Sequence, residues 1–162
     1  MTEADKLSEL EDEEDTQKER YLTFALNTEM YGIEIKHVTE IIGIQQITVV
    51  PELPNFICGI MNLRGKIIPI MDVRLRFKKP FREYSDRTCV IVIDITNMTM
   101  GMIVDSVEEV LTIPDSEIVS PAESNTLSNK YIKGIGKVGN DVKLILNCNK
   151  LLDLDENEKS NK

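Results

Sequence analysis

Tryptophan is absent from these 162 residues, and four Tyr and four Phe are the only aromatics, too few for the bases of a single strand to stack on. Basic residues are also in short supply: Lys and Arg number 19 against 28 Asp and Glu. No basic stripe can track a phosphate backbone, which argues against nucleic acid as a partner. The one histidine, His37, has no Cys or second His near it in sequence and reads as a partly exposed surface residue, not a metal ligand or catalytic base. Cys58, Cys89 and Cys148 are far apart, each in an apolar run. They are expected to be small buried hydrophobes in a reducing compartment, without a metal or redox role. No apolar run is long enough to cross a bilayer, and the first residues are polar and acidic. A cytoplasmic protein without membrane insertion is expected.

What is present is acid at the ends and apolar residues between them. Residues 1–20 hold nine acids and three bases, and residues 153–162 four acids and two bases. Removing those contributions of −6 and −2 from the total of −9 leaves −1 for Tyr21–Leu152. Acidic stretches with so few apolar residues cannot offset chain entropy, so residues 1–20 and 153–162 are expected to be disordered, solubilising tails. The body between them has short runs rich in Ile, Val, Leu and Thr, such as "YLTFALN", "KIIPIMDV", "TCVIVIDI" and "DVKLILN". With polar breaks between the runs, they predict strands joined by hairpins. Helix is expected only in short pieces, around Lys36–Ile42, where Ile35, Val38 and Ile42 repeat at helical spacing, around Val73–Phe77 and around Asn149–Leu152.

The body also says the same thing twice. "YLTFALNTEMYGIEIKHVTEI" aligns without a gap on "VIVIDITNMTMGMIVDSVEEV", 69 positions apart (Gly32 on Gly101), pairing Val38 with Val107, Glu40 with Glu109 and Ile41 with Val110. "FICGIMNLRGKIIPIMD" aligns on "YIKGIGKVGNDVKLILN", 75 positions apart (Gly59 on Gly134). Two units follow, roughly 21–82 and 83–152, divided near "KKPFREYSDR", with exchange of strands between them left open. About five short strands in some 60 residues close only as a small barrel. The expected architecture is therefore all-β with short helices: two small five-stranded barrels sharing an apolar seam, with a groove where their surfaces meet.

Within this frame Arg64 is anomalous, an always-charged group on the turn "NLRG". Its counterpart is Gly139, so the second unit builds the same hairpin without a cation. The turn does not require arginine, which points to a role in docking or to pairing with an acid, of which Glu40 is the obvious one. Apparent motifs elsewhere dissolve. "GIGKVG" (134–139) fits GxGxxG but precedes a turn and a strand, not the helix that would meet a pyrophosphate. "GIMNLRGK" has five residues between its glycines and Ile67 where a phosphate loop needs Ser or Thr. No acid pair, nucleophile or metal cluster stands out, so no catalytic residue, cofactor or metal is assigned.

The segments "YLTFALNTEMYGIEIKHVTEII", "FICGIMNLRGKIIPIMDVRLRF", "RTCVIVIDI", "MGMIVDSVEEVLTI" and "YIKGIGKVGNDVKLILNCNKLL" closely resemble the CheW family of bacterial chemotaxis coupling proteins, from about Tyr21 to Asp153. The resemblance implies two SH3-like five-stranded barrels and a non-catalytic adaptor. It implies as partners the cytoplasmic tip of methyl-accepting chemoreceptors and the regulatory domain of the histidine kinase CheA, in receptor arrays at the inner face of the membrane. It implies a receptor-binding groove at Val38, Glu40, Gly59, Arg64, Gly65 and Val110. A generic small-barrel binder of protein or nucleic acid is the alternative.

Overall fold

The computed structural model describes residues 18–96, 98–121 and 130–153. The expectations for the tails at 1–17 and 154–162 therefore lie outside the described residues. At the amino-terminal side the strand structure starts earlier than expected, since Arg20 already pairs with Thr112.

Eleven strands are described: β1 (Arg20–Leu26), β2 (Glu29–Glu34), β3 (Val38–Gly43), β4 (Ile57–Leu63), β5 (Lys66–Asp72), β6 (Cys89–Ile95), β7 (Met98–Val104), β8 (Ser106–Thr112), β9 (Ile118–Val119), β10 (Ile132–Val138) and β11 (Asp141–Leu146). Two one-turn helices, α1 (Val73–Arg76) and α2 (Cys148–Leu151), each follow a hairpin. Their caps match: Asp72 Oδ1 accepts from Arg74 N and Asn147 Oδ1 from Lys150 N, 75 positions apart. Each side chain satisfies a helix-start N–H that has no partner within the helix.

The first sheet runs β8-β1-β2-β11-β10-β9 and the second β3-β6-β7-β5-β4. Each therefore takes strands from both halves of the chain. β1 and β2 sit in the first sheet beside β8–β11, while β3–β5 sit in the second beside β6 and β7. The strands that the sequence repeat pairs (β1 with β6, β2 with β7, β3 with β8, β4 with β10, β5 with β11) occupy equivalent places in opposite sheets. A pseudo-twofold thus relates two barrels that exchange strands. Where five strands apiece are expected, the first sheet has a sixth, the two-residue β9. Its place in the second sheet is taken by a single bridge, Thr48↔Ile60. Both features carry one sheet edge round to the other, which removes open edges.

The exchange explains the near-continuous apolar runs. Along β6, Val90 and Val92 face the second barrel's own core while Ile91, Ile93 and Ile95 face the core shared by both barrels. A strand buried on both faces has no solvent side to make polar. Among the described residues the shared core is the largest, with 21 buried residues against six in the second barrel and three in the first. Since full burial of an Ile or Leu is worth roughly 1.5–3 kcal/mol, the seam dominates stability. The first barrel is poorer partly because Lys143, 8% exposed, stands at the position equivalent to Ile68.

Two buried arginines tie the barrels together. Arg74 Nε donates to Asp105 Oδ1 at 2.8 Å, and its Nη2 to Asn27 Oδ1 at 2.5 Å and to Asp105 Oδ2. Arg76 from α1 reaches the carbonyl oxygens that end α2, Nε to Leu151 at 3.0 Å and Nη2 to Asp153 at 2.6 Å.

Two expectations need correction. Ile35, Val38 and Ile42 do not share a helix: a single 3-10 turn (Ile35–His37) precedes β3, where a bulge between Val38 and Glu40 lets Val38 reach the shared core and Ile42 the second barrel's core. Of the cysteines only Cys148 is buried, and Cys58 and Cys89 are half-buried. Burial pushes the Cys148 thiol up to about 11. No helix among the described residues is long and apolar enough to cross a membrane.

Candidate functional site

The candidate site grows out of the hairpin between β4 and β5. Leu63 pairs with Lys66, leaving Arg64 and Gly65 as a two-residue loop. Both have positive φ, 52° and 86°, as a type I′ hairpin turn needs and as glycine or asparagine adopts most readily. Asn62 Oδ1 accepts from Gly65 N at 2.8 Å and pins the loop. In the equivalent turn only Gly139 has positive φ, so the second unit uses glycine where the first holds an arginine in the left-handed region. Local backbone energetics disfavour Arg64 at this position. The reason for it lies in its side chain.

That side chain reaches across the closure of the second barrel to β3. Arg64 Nη1 donates to Glu40 Oε1 at 2.9 Å and Nη2 to Oε2 at 2.5 Å, a two-pronged pair. The arginine side chain is 74% exposed and the glutamate 23%. The hydrogen bonds and charge of Glu40 push the guanidinium further up, so it stays charged at any working pH. In the other barrel Glu109, the counterpart of Glu40, is exposed and meets no cation among the described residues. It is held instead by its backbone, through the Thr23 hydroxyl at 2.8 and 3.1 Å. The pair is therefore a feature of one barrel only, presented to solvent.

The structure brings Glu40, Arg64 and Gly65 together, with Val38 two residues away on β3, half-buried against the shared core. Gly65 has no atom within 4 Å of where a Cβ would stand, so its surface is open. Gly59 is placed differently. It is buried in β4 at φ 151°, and a Cβ there would lie 2.1 Å from the Thr48 carbonyl oxygen. Its close approach is to its own chain, at the Thr48↔Ile60 bridge that closes the barrel. Val110 is 39% exposed on β8, in the first sheet beside Leu22. No strand pairing, hydrogen bond or ion pair among the described residues links it to the other five.

Two aliphatic residues went unassigned from sequence. Ile41, 43% exposed, is the pseudo-twofold counterpart of Val110, and Ile67, 56% exposed, follows the Arg64–Gly65 turn. The repeat alignment that pairs Ile41 with Val110 carries the signal for the first. Nothing in the sequence marks Ile67, since it continues an apolar run.

Near the 3-10 turn a second charged group forms around Glu34, which meets Lys36 at 3.1 Å, His37 at 3.8 Å and Lys133. Burial, with the charge of Lys36, holds the His37 imidazole below its ordinary range, so it is neutral near pH 7. No group of three or more His, Cys, Asp or Glu that could hold a metal ion occurs among the described residues. The arrangement offers recognition chemistry: exposed aliphatic residues beside a fixed ion pair on a rigid barrel.

The family model of the CheW-like domain matches residues 20–156. The chain is similar to the chemotaxis protein CheW of Klebsiella aerogenes, 36% identical over 143 residues, covering 88% of this chain and 86% of that one. It is 33% identical over 141 residues to the chemotaxis protein CheW of Bacillus subtilis, covering 86% and 90%. Among solved structures, the scaffolding protein TtCheW from Thermoanaerobacter tengcongensis superposes with a TM-score of 0.78 at 35% identity, covering 85% of this chain and 94% of that one.

Proposed function

This chain belongs to the CheW-like domain family, and from that premise we propose how it serves as a coupling scaffold in chemotaxis signalling. It joins the cytoplasmic hairpin tip of a chemoreceptor to the regulatory domain of the histidine kinase CheA, in the cytoplasm, at receptor arrays on the inner face of the membrane. The role is one of binding and placement, and no bond is made or broken by the scaffold itself.

The observation that carries this reading is the exposed Arg64–Glu40 pair on a turn that would fold more easily with glycine. A helical hairpin tip presents apolar side chains ringed by polar ones. Its receiving surface needs aliphatic anchors, one place of close approach and charges that set register. Val38 and Val110 supply the anchors, Gly65 the close approach, and Glu40 and Arg64 the charges. Gly59 contributes by holding the barrel edge shut behind the turn. A few of these residues should carry most of the binding energy.

The test is co-sedimentation of the protein with receptor-containing membranes and CheA, followed by kinase phosphorylation. Kinase activity should rise only when all three components are present. An unchanged rate with and without the chain would remove the coupling role.

A further inference from the structure

A cleft of about 600 Å³ opens beside α1, away from the Arg64 turn, and is lined in part by Asn55, Phe56, Leu75, Arg76, Lys78 and Lys79. Three of these are cations, and no acid among the described residues lines the cleft. Lys79 is engaged by Glu29 at 3.0 Å. Lys78 is exposed and makes no side-chain hydrogen bond or ion pair among the described residues.

Arg76 is the unusual member, only 3% exposed. Its guanidinium carbon stands 4.1 Å from the ring centre of Phe56 and 5.0 Å from that of Tyr131, while Nε and Nη2 hold the carbonyl oxygens of Lys150, Leu151 and Asp153. Nη1 makes no hydrogen bond among the described residues. No fully buried side-chain nitrogen or oxygen among them lacks a partner, so Nη1 keeps a small solvent contact, and Arg76 is one of the residues that line the cleft.

Phe56 and Tyr131 are pseudo-twofold counterparts, as are Arg76 and Leu151, each 75 positions apart. The guanidinium therefore sits between the equivalent elements of the two barrels, and only one barrel supplies it. The duplicate helix keeps its place with leucine.

We propose that this cleft is a docking subsite for an acidic segment of a partner protein. One carboxylate lies between Arg76 Nη1 and Lys78 Nζ, and the aliphatic stem of that side chain lies over the half-buried Leu75. Charge complementarity carries the choice of occupant, since one guanidinium nitrogen without a protein partner and a free ammonium offer a carboxylate one charged donor for each oxygen. The apolar floor suits a side-chain stem better than a bare ion.

The experiment titrates the full chain into a fluorescein-labelled hexaglutamate peptide at about 50 mM salt, where screening is modest, and maps the contact by amide shifts in 15N-labelled protein. Shifts should centre on Asn55, Phe56 and Lys78. Lys78→Glu should weaken binding by about fivefold or more, a difference of about 1 kcal/mol, while Lys137→Glu, at an exposed position of β10, should change it less than about twofold. Equal effects of the two variants, or shifts centred on Lys36 and Lys133, would overturn the proposal in favour of general charge attraction. The same shifts produced by millimolar inorganic phosphate would overturn it in favour of a simple anion site. If the peptide binds only after Asp155→Asn, Glu156→Gln and Glu158→Gln are made together, the occupant is this chain's own acidic stretch and the partner reading fails.

Discussion

Replacing Gly59 by alanine separates a folding role from a docking role at the residue where the two are most easily confused. The new Cβ would stand 2.1 Å from the Thr48 carbonyl oxygen and 2.8 Å from its carbon, well inside the roughly 3.5 Å of an optimal contact. Both obstacles are backbone, so no rotamer change relieves them. The segment around Thr48 must move, and with it go two hydrogen bonds, Thr48 N to Ile60 O at 2.8 Å and Ile60 N to Thr48 O at 2.9 Å. Those two are worth about 2 kcal/mol net, and forcing an L-residue to φ 151° adds roughly 1–3 kcal/mol. The total of about 3–5 kcal/mol corresponds to a Tm loss of roughly 10–15 °C for a body of this size. Circular dichroism melts measure it, with Gly65→Ala as comparison, where no atom lies within 4 Å and only the φ strain of about 1 kcal/mol applies. A Gly59→Ala protein that melts within about 3 °C of the parent while losing receptor binding would refute the reasoning and return Gly59 to the docking surface.

Other expectations follow from the buried charges. Arg74→Ala strips Asp105 of its main partner and should cost about 3 kcal/mol, the lower end for breaking a buried pair, because the Asp105 side chain keeps 23% exposure. Although burial pushes the Asp105 carboxyl up, hydrogen bonds from Arg74 and the Asn27 amide outweigh it and hold the group below its ordinary range. Its contribution is present above the unfolded value of about 4 and lost as pH falls through the lower folded value, so the Arg74→Ala deficit should shrink in urea titrations below about pH 4. Asp72 behaves oppositely. Burial raises its carboxyl despite the hydrogen bonds from Tyr84 and the helix start, so ionising it opposes folding as pH rises above about 4. Asp72→Asn copies the capping residue that the other barrel already uses, Asn147. Its Tm relative to the parent should rise between pH 4 and 7, and a pH-independent difference would count against a strained carboxylate.

Much of this architecture is legible in the residues. The 69- and 75-position offsets foretell which strands are equivalent, and α1 and α2 begin 75 positions apart as the repeat requires. The repeat is silent on which strands pair, because two similar halves offer β3–β5 nearly the same chemistry in either barrel. Exchange is decided by the length and course of the connections, which composition does not record. The periodicity of Ile35, Val38 and Ile42 misleads because a bulge in β3 sends neighbouring residues to different cores. Arg74 and Arg76 look like surface charges in a basic stretch, and only their partners, 31 to 77 residues away, reveal them as buried ties. The pairing of Arg64 with Glu40 was legible because the duplicated turn, with Gly139 in place of the arginine, served as an internal control.

The central claim is that Arg64 stands on its turn for docking and not for folding. The most direct measurement sets Arg64→Ala beside the parent in two assays, thermal melting and receptor-dependent CheA phosphorylation. The account predicts a Tm within a few degrees of the parent, since an exposed ion pair adds little to stability, together with loss of kinase stimulation at matched protein concentration. Full stimulation by a folded Arg64→Ala protein, or global unfolding of that variant, would contradict it.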